Sequence, residues 1–184
     1  MPLTKLDTKA ALILIDLQKG IIGLPTAHVM SEVLGNAVQL VQAFRESGRP
    51  VVLVNVSGRA PGRTEAGPPK FVFPPDWTEF APELQQQPND YVVTKQRVGA
   101  FLGTSLDEYL RGQEVTQIII AGVATSGGVE ATARSAYDLG YNVVFAVDAM
   151  TDLSADAHRL SIELVFPRIG ETDSTENLVK AVRG

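Results

Sequence analysis

Five short apolar runs, rich in β-branched residues, constrain the fold of this chain more than any other feature. They are AALILI (residues 10–15), VVLVNV (51–56), YVVT (91–94), IIIA (118–121) and VVFAV (143–147). Because these runs do not alternate apolar with polar residues, each predicts a strand that is buried on both faces. Strands of this kind form parallel sheets that helices cover on both sides.

Segments with helical periodicity separate the apolar runs. One helix is predicted at residues 29–44, and its buried stripe consists of Val29, Val33, Ala37, Val41 and Phe44. Others are predicted at residues 106–110, 126–139 (with Val129, Ala133, Ala136 and Tyr137 inward), 155–166, and after the capping box of residues 173–176. This alternation predicts a three-layer α/β/α fold with a mostly parallel, doubly wound, Rossmann-like sheet.

A segment rich in proline and glycine, residues 57–87, interrupts the alternation. Its composition breaks regular structure, and a loop of this length is typically a lid or a subunit contact. Phe71, Phe73 and Trp77 offer apolar surface there, which favours a homo-oligomer; a lid folded over its own site is the alternative. Since neither a repeat nor a linker is present, residues 1–184 are interpreted as one domain.

Charge and composition exclude several functional classes. Lys and Arg number 16 and Asp and Glu 21, which gives a net charge of −5 without a basic run, so no nucleic-acid partner is expected. The chain has no cysteine, which excludes disulfides and a thiolate nucleophile. No apolar run approaches the roughly 20 residues of a membrane span, and the first ten residues lack a signal core. We therefore expect a cytoplasmic protein that does not bind membranes.

Polar and glycine residues follow the predicted strands. In open parallel sheets, ligands bind at the carboxyl ends of the strands, so these residues are expected to share one edge. They are Asp16 and Gln18, then Asn55, Ser57 and Arg59, then Lys95 and Arg97, then residues 122–128, and finally Asp148.

Asp16 and Lys95 are the candidate charged pair. A carboxylate at the end of an apolar strand is costly unless it is paired, and an ion pair can hold a carboxyl group at a pKa that suits proton transfer. Taken singly, Asp16 could be a turn or helix cap and Lys95 a solvated residue at the sheet edge. Their predicted proximity favours the functional interpretation.

Thr125, Ser126, Gly127 and Gly128 form the entry to a predicted helix. Backbone N–H groups at such an entry can bind an anion, and glycine allows a ligand to approach the backbone closely. A tight strand-to-helix turn without function explains the same residues equally well. The spacing does not match the nucleotide-binding glycine motifs.

The two histidines, His28 and His158, have neither a second histidine nor a carboxylate at metal-binding spacing. They are interpreted as surface or packing residues, so no metal site is predicted. A Ser-His-Asp triad has no G-x-S-x-G motif to support it.

These residues give the chain a resemblance to the isochorismatase-like, or cysteine hydrolase, superfamily over nearly its whole length. The matching segments are LILIDLQ (12–18), RPVVLV (49–54), TKQRVGAF (94–101), GVATSGGVEATARSAYDLGY (122–141) and DAMTDLSADAH (148–158). The resemblance implies a six-stranded sheet, hydrolase activity without a cofactor, and a homodimer or homotetramer. It also implies that Asp16 and Lys95 are two members of the family triad.

Gly128 occupies the position of the third triad member, the nucleophilic cysteine. Without a thiolate, hydrolysis through a cysteine acyl-enzyme is excluded. Isochorismatases also carry glycine here and hydrolyse a vinyl ether, in which an aspartate protonates the enol-ether carbon and water captures the oxocarbenium ion. The resemblance therefore implies that Asp16 is the general acid, that Lys95 orients it, and that Gly128 leaves room for the substrate.

A small, anionic substrate is expected to contact side chains around this centre. The candidates are Gln18, Asn55, Arg59, Arg97, Phe101, Ala124, Thr125 and Gly127. Residues 55–57 lack the glutamine that isochorismatases carry there, so the substrate need not be isochorismate. Two alternatives stay open: a binding protein of the same fold without activity, and a hydrolase with Ser126 or Thr125 as nucleophile.

Overall fold

The computed structural model of the protein describes residues 2–65, 67 and 73–184. A six-stranded sheet has the strand order β3-β2-β1-β4-β5-β6, and every neighbouring pair is parallel. The chain starts at the centre with β1, winds outward to β3, returns to β4 beside β1, and winds to β6. This confirms the predicted doubly wound α/β fold.

The strands and helices alternate as predicted. The strands are β1 (Ala10–Ile15), β2 (Val51–Val56), β3 (Tyr91–Lys95), β4 (Gln117–Val123), β5 (Asn142–Thr151) and β6 (Glu171–Asp173). The helices are α1 (Lys19–Ile22), α2 (Met30–Glu46), α3 (Leu106–Gly112), α4 (Glu130–Asp138), α5 (Ala155–Leu160) and α6 (Thr175–Arg183). Short 3-10 turns cover Pro82–Leu84 and Phe166–Arg168, and π turns cover Thr125–Val129 and Ser161–Val165.

The sheet separates two apolar cores, one on each face. Helices α2 and α6 bury Phe44 and Leu178 against one face. Helices α3 and α4 and the turn after α5 bury Leu106, Ala133 and Phe166 against the other. Every residue of β1 and β4 is buried, whichever face of the sheet its side chain is on. This explains why the apolar runs in the sequence are continuous rather than alternating.

Several sequence predictions need correction. Val29 precedes α2 and Tyr137 lies on the outer side of α4, and both side chains are more than half exposed. The predicted helix at residues 155–166 ends as α5 at Leu160 and continues as a π turn. Asp148 lies within β5 rather than after it, and its carboxylate accepts hydrogen bonds from the backbone and hydroxyl of Thr175. The residue that follows β5 is Asp152.

Trp77 anchors the described end of the proline-rich segment to the carboxyl edge of the sheet. Its indole N–H donates to the carbonyl of Val56, and its ring covers Gly20 so closely that a Cβ there would lie 2.3 Å from it. Phe73 packs against this ring with centroids 4.6 Å apart, whereas Phe71 lies outside the described residues. Within the described ranges, no helix combines the length and apolarity that crossing a membrane requires.

Candidate active site

Asp16 and Lys95 meet at the carboxyl ends of β1 and β3, on opposite sides of β2. The Lys95 ammonium donates to Asp16 Oδ2 at 2.7 Å and to the carbonyl of Arg97 at 3.3 Å. Only 6% of Asp16 and 2% of Lys95 are exposed, so the pair is shielded from water. The predicted proximity of these two residues is confirmed.

The two carboxylate oxygens of Asp16 have different surroundings. Oδ2 accepts the Lys95 hydrogen bond, whereas Oδ1 is buried and has no hydrogen-bond partner among the described residues. A buried, unpaired carboxylate oxygen is costly when the group is ionised and is best satisfied by a proton or by a ligand. Oδ1 is therefore the oxygen available for proton transfer.

The protonation of Asp16 is decided by burial. Burial raises the pKa of the carboxyl group from its ordinary value of 3.8 to about 6, because this effect exceeds the lowering by the charge and hydrogen bond of Lys95. At a pH near 6, half of the molecules therefore carry a protonated Asp16. A carboxylic acid with such a pKa can donate a proton near neutrality.

The backbone at Asp16 is also unusual. Its φ angle is 52°, in the left-handed region that few residues other than glycine adopt. The turn is fixed by a hydrogen bond from the Asp16 N–H to the carbonyl of Val54 and continues into Leu17, which is fully buried. The carboxylate of this residue reaches Lys95 at the end of β3, and sparsely populated backbone conformations of this kind are common at functional sites.

Gly128 lies against Asp16, on the first turn after β4. A Cβ at this position would be 3.4 Å from Asp16 Oδ2 and 2.9 Å from Ile15 Cγ2. A side chain here would thus point to the carboxylate but would collide with the core of β1. The predicted juxtaposition of Asp16, Lys95 and Gly128 is present.

Gly122 allows β4 to approach β1 at this edge. Its φ angle is +118°, and a Cβ would lie only 2.0 Å from the carbonyl oxygen of Ile15. Only glycine fits this position. The peptide bond from Val123 to Ala124 that follows is cis.

Residues Thr125–Gly128, the glycine turn, are fixed at three points. The Thr125 hydroxyl is 2.8 Å from His158 Nδ1, and Asp152 Oδ2 accepts from both the N–H and the hydroxyl of Ser126. The carbonyl of Gly128 accepts from the Thr132 hydroxyl at 2.6 Å. The turn is therefore held rigidly at the edge that carries Asp16.

Two of the predicted substrate-binding residues have structural partners. Gln18 is fully buried; its amide donates to the carbonyls of Val56 and Trp77 and accepts from the N–H of Val56. With these groups taken, Gln18 joins the proline-rich segment to β2. Asn55 donates to the carbonyl of Thr78, but its buried Oδ1 has no partner in the described part of the chain. Asn55 is thus available to a ligand, whereas Gln18 is not.

Three further candidate substrate-binding residues differ in their relation to the Asp16–Lys95 pair. Arg97 is half-buried, and its carbonyl accepts from Lys95, so its backbone belongs to the centre. Arg59 is exposed and binds the carbonyl of Gly67 and the Thr64 hydroxyl within its own loop. The Phe101 ring lies in the core near Tyr141, where it supports the fold rather than the edge of the sheet.

The remaining candidates belong to the glycine turn. Ala124 and Gly127 are half-buried, and the Gly127 N–H donates to the carbonyl of Ala124. Thr125 is fully buried and bound to His158, so its side chain cannot reach a substrate directly. The turn therefore presents backbone, not side chains, to the site.

Sequence reasoning missed the residues that support the turn. Thr132 lies in the matched segment 122–141 and binds the Gly128 carbonyl four residues earlier. Asp152 lies in the matched segment 148–158, and its contact with Ser126 is set by the strand order. The sequence predicts a surface or packing role for His158, whereas its ring contacts both His28 and Thr125. A helical histidine within the segment after β5 was the one signal that could have indicated this contact.

Comparison with known proteins agrees with the geometry. A family model described as the isochorismatase domain matches residues 10–177. YwoC of Bacillus subtilis, an uncharacterised isochorismatase family protein, is 40% identical over 182 residues, 95% of each chain. The solved structure of an isochorismatase family protein from Burkholderia thailandensis has a TM-score of 0.93 and 37% identity over 98% of each chain.

A more distant relative is named for an activity. The maleamate amidohydrolase of Pseudomonas putida is 26% identical over 186 residues, which cover 95% of this chain and 87% of the relative. Fold, length and sequence thus agree across the whole alternation of strands and helices. By this agreement, the chain belongs to the isochorismatase family of hydrolases.

Proposed function

We propose that this enzyme hydrolyses a small, anionic vinyl ether by acid catalysis, with Asp16 as the acid. The observation that carries the proposal is the unpartnered, buried Oδ1 of Asp16 beside a glycine at position 128. The ammonium of Lys95 binds Oδ2, so the acidic proton resides on Oδ1, where no other described group competes for it. An acid poised in this way suits protonation of carbon, which needs a strong, well-oriented donor.

The reaction proceeds in three steps. The Oδ1 proton moves to the terminal carbon of the enol ether, whose π electrons form the new C–H bond and leave an oxocarbenium ion. Water attacks the cationic carbon and gives up a proton to the Asp16 carboxylate. The hemiketal then breaks its C–O bond, which releases an alcohol and a ketone and leaves Asp16 protonated for the next turnover.

Lys95 and Arg97 account for the preference for an anion. After the first step, the Asp16 carboxylate balances the positive charge on the oxocarbenium ion, and the Lys95 ammonium adds a positive charge that favours a substrate carrying its own negative charge. The backbone carbonyl of Arg97 accepts a hydrogen bond from Lys95. The guanidinium of Arg97 is the one nearest to Lys95 in the sequence, and it is the proposed anchor of a substrate carboxylate. Arg59 is less suited because its own loop uses its donors.

A covalent mechanism has less support. The chain has no cysteine, Thr125 is fully buried, and both polar groups of Ser126 are held by Asp152. An amidohydrolase route like that named for the P. putida relative would need a nucleophile that these residues do not provide. Incubation with an activated ester is therefore expected to leave the intact mass of the protein unchanged.

The test is release of pyruvate from isochorismate, the parent vinyl ether, by wild type and by Asp16→Asn. Asparagine retains the shape and tolerates a positive φ angle but cannot donate the proton, so turnover is expected to fall by about 100-fold or more. The control is Asp156→Asn, because that carboxylate lies on the surface of α5. Equal turnover by Asp16→Asn and wild type would exclude Asp16 as the acid, and release by neither would exclude isochorismate and favour another enol or acyl substrate or a binding role.

A further inference from the structure

The two histidines of the chain lie side by side over the carboxyl ends of β4 and β5. Their ring centroids are 4.4 Å apart with an interplanar angle of 56°. His158, on α5, is 2.8 Å from the Thr125 hydroxyl, and His28, ahead of α2, is 2.9 Å from the Thr151 hydroxyl. Thr151 pairs with Val123 across the two strands, so the two contacts are adjacent in the sheet.

The buried threonines determine which ring nitrogens carry hydrogen. Thr125 is fully buried, and within the described residues its hydroxyl has no partner other than His158 Nδ1. The hydroxyl hydrogen must therefore point to Nδ1, which acts as the acceptor and leaves the ring hydrogen on Nε2. Thr151 is equally buried and already accepts the backbone N–H of His28, so its hydroxyl hydrogen is directed to His28 Nδ1.

Protonation of His158 would disrupt this arrangement. A hydrogen on Nδ1 would turn the acceptor into a donor and leave the buried Thr125 hydroxyl hydrogen without an acceptor. A charged His28 at 4.4 Å would add repulsion. Consistently, burial and the neighbouring His28 lower the pKa of His158, and only Asp152 acts in the opposite direction.

The other charged groups around His158 already have hydrogen-bond or ion-pair partners. Asp152 accepts two hydrogen bonds from Ser126, and Asp156 and Arg159, on the same helix, pair at the surface. On α4, the Glu130 carboxylate is shared by Arg134 and the Ser161 hydroxyl. Of these groups only Asp152 favours a proton on His158, and burial together with the neighbouring His28 outweighs it.

We propose that His158, in its neutral form, is a positioning residue that fixes the glycine turn beside Asp16 by accepting the hydrogen bond of Thr125. His28 supports it by holding Thr151 on the neighbouring strand. The inference rests on the proposed function in one respect, because it assigns the turn to the site of the Asp16 chemistry. It follows that turnover needs a protonated Asp16 and a neutral His158 at once, which confines activity to a pH window.

Nitrogen NMR of protein that is isotope-labelled at histidine and glycine tests the contact without any substrate. The chain has two histidine rings, and the variants His28→Asn and His158→Asn assign their signals. For His158 we expect an unprotonated Nδ1, a protonated Nε2, and backbone amide signals of Gly127 and Gly128 that shift with the titration of this ring. A protonated Nδ1 in the neutral ring, or glycine amides that do not follow the titration, would overturn the proposal.

Kinetics test the consequence for turnover. His158→Leu and Thr125→Val remove the same hydrogen bond, so each is expected to lower kcat by about 10- to 100-fold with a KM within about twofold, and the double variant is expected to be no slower. His158→Asn keeps an acceptor near the Nδ1 position but does not titrate. It should retain most of the turnover near pH 6.5 and lose the decline of activity toward acid pH.

Arg159→Leu, an exposed change one residue along α5, is the matched control for helix stability. An acid decline that persists in His158→Asn, or a wild-type kcat in His158→Leu, would refute the positioning role. If no vinyl ether is hydrolysed by the wild type, the proposed function fails alone, since the NMR titration still decides whether His158 fixes the turn. Thermal unfolding of each variant identifies any that do not fold.

Discussion

At the scale of single residues, the proposed role of Asp16 predicts that its carboxyl group sets the pH at which the enzyme is active. Its pKa of about 6 predicts that kcat/KM falls tenfold for each pH unit above that value, because the protonated fraction falls at this rate. The measurement is kcat/KM between pH 5 and pH 8.5. A profile that stays level from pH 6 to pH 8 would contradict acid catalysis by Asp16.

Lys95 offers a separate prediction at the same carboxyl group. Its ammonium lowers the pKa of Asp16 through charge and a hydrogen bond, although less than burial raises it. In Lys95→Met this lowering is lost, so the alkaline decline in kcat/KM should move to higher pH even though kcat falls. An unchanged position of the decline would mean that another group limits the profile; Lys9→Met, at an exposed ion pair, is the control.

Gly128 is constrained by packing as well as by chemistry. Because a Cβ there would lie 2.9 Å from Ile15 Cγ2, Gly128→Ala is expected to lower the free energy of unfolding by about 1–3 kcal/mol, the usual cost of overpacking. Gly35→Ala on α2 is the matched control, since nothing lies within 4 Å of its Cβ and alanine should stabilise the helix by up to about 1 kcal/mol. Urea denaturation compares the two, and equal effects would show that position 128 has free space.

At the scale of elements, apolar runs and periodicity predicted the strands and helices, but not the pairing of loops across the sheet. The run at residues 10–15 predicts β1 because strands buried on both faces have few alternatives. By contrast, β5 continues through Asp148, since a bulge lets it pair with β4 as far as Thr151. Sequence pattern therefore could not show which of the two aspartates follows the strand. Asp152, and not the predicted Asp148, lies at the edge of the sheet.

Sequence pattern also could not predict every contact in the candidate active site. Asp16 and Lys95 lie at the carboxyl ends of strands whose order is common in doubly wound folds, so their meeting could be predicted. Gln18 and Phe101 are near the same strands in sequence, but their orientation depends on the proline-rich segment and on core packing. The orientations of Gln18 and Phe101 leave no periodic pattern in the sequence. The sequence therefore could not exclude these two residues as substrate-binding residues.

The ion pair between Arg45 and Asp90 tests how much a buried contact between α2 and the residue before β3 contributes to stability. The guanidinium, on α2, bonds both carboxylate oxygens of Asp90 and the carbonyl of Leu84, and the Asp90 side chain is 3% exposed. Asp90→Ala leaves a largely buried Arg45 unpaired, and we expect a loss of about 3–5 kcal/mol in unfolding free energy. Glu176→Ala, at an exposed pair on α6, should cost less than about 1 kcal/mol. Similar losses in both variants would show that burial of the Arg45 pair has no effect.

At the scale of the whole molecule, placing an acid at the centre of the sheet edge costs stability at neutral pH. The folded chain holds the Asp16 proton with a pKa of about 6, whereas the unfolded chain releases it near 3.8. Between these values the folded state binds more protons, so the free energy of unfolding contributed by Asp16 falls as the pH rises and is constant above about pH 7. A shift of this size corresponds to about 3 kcal/mol.

Asp16→Asn isolates this contribution, because asparagine does not titrate. Chemical denaturation of both proteins at pH 4, 5, 6 and 7 should show the wild type losing about 2–3 kcal/mol relative to the variant as the pH rises. The lowered pKa of His158 acts in the opposite direction below its ordinary value of 6.5, but it is common to both proteins and cancels in the comparison. A difference that is constant with pH would mean that Lys95 keeps Asp16 ionised throughout. The same carboxyl could then not be the acid of the reaction, so a measurement of folding alone also tests the catalytic proposal.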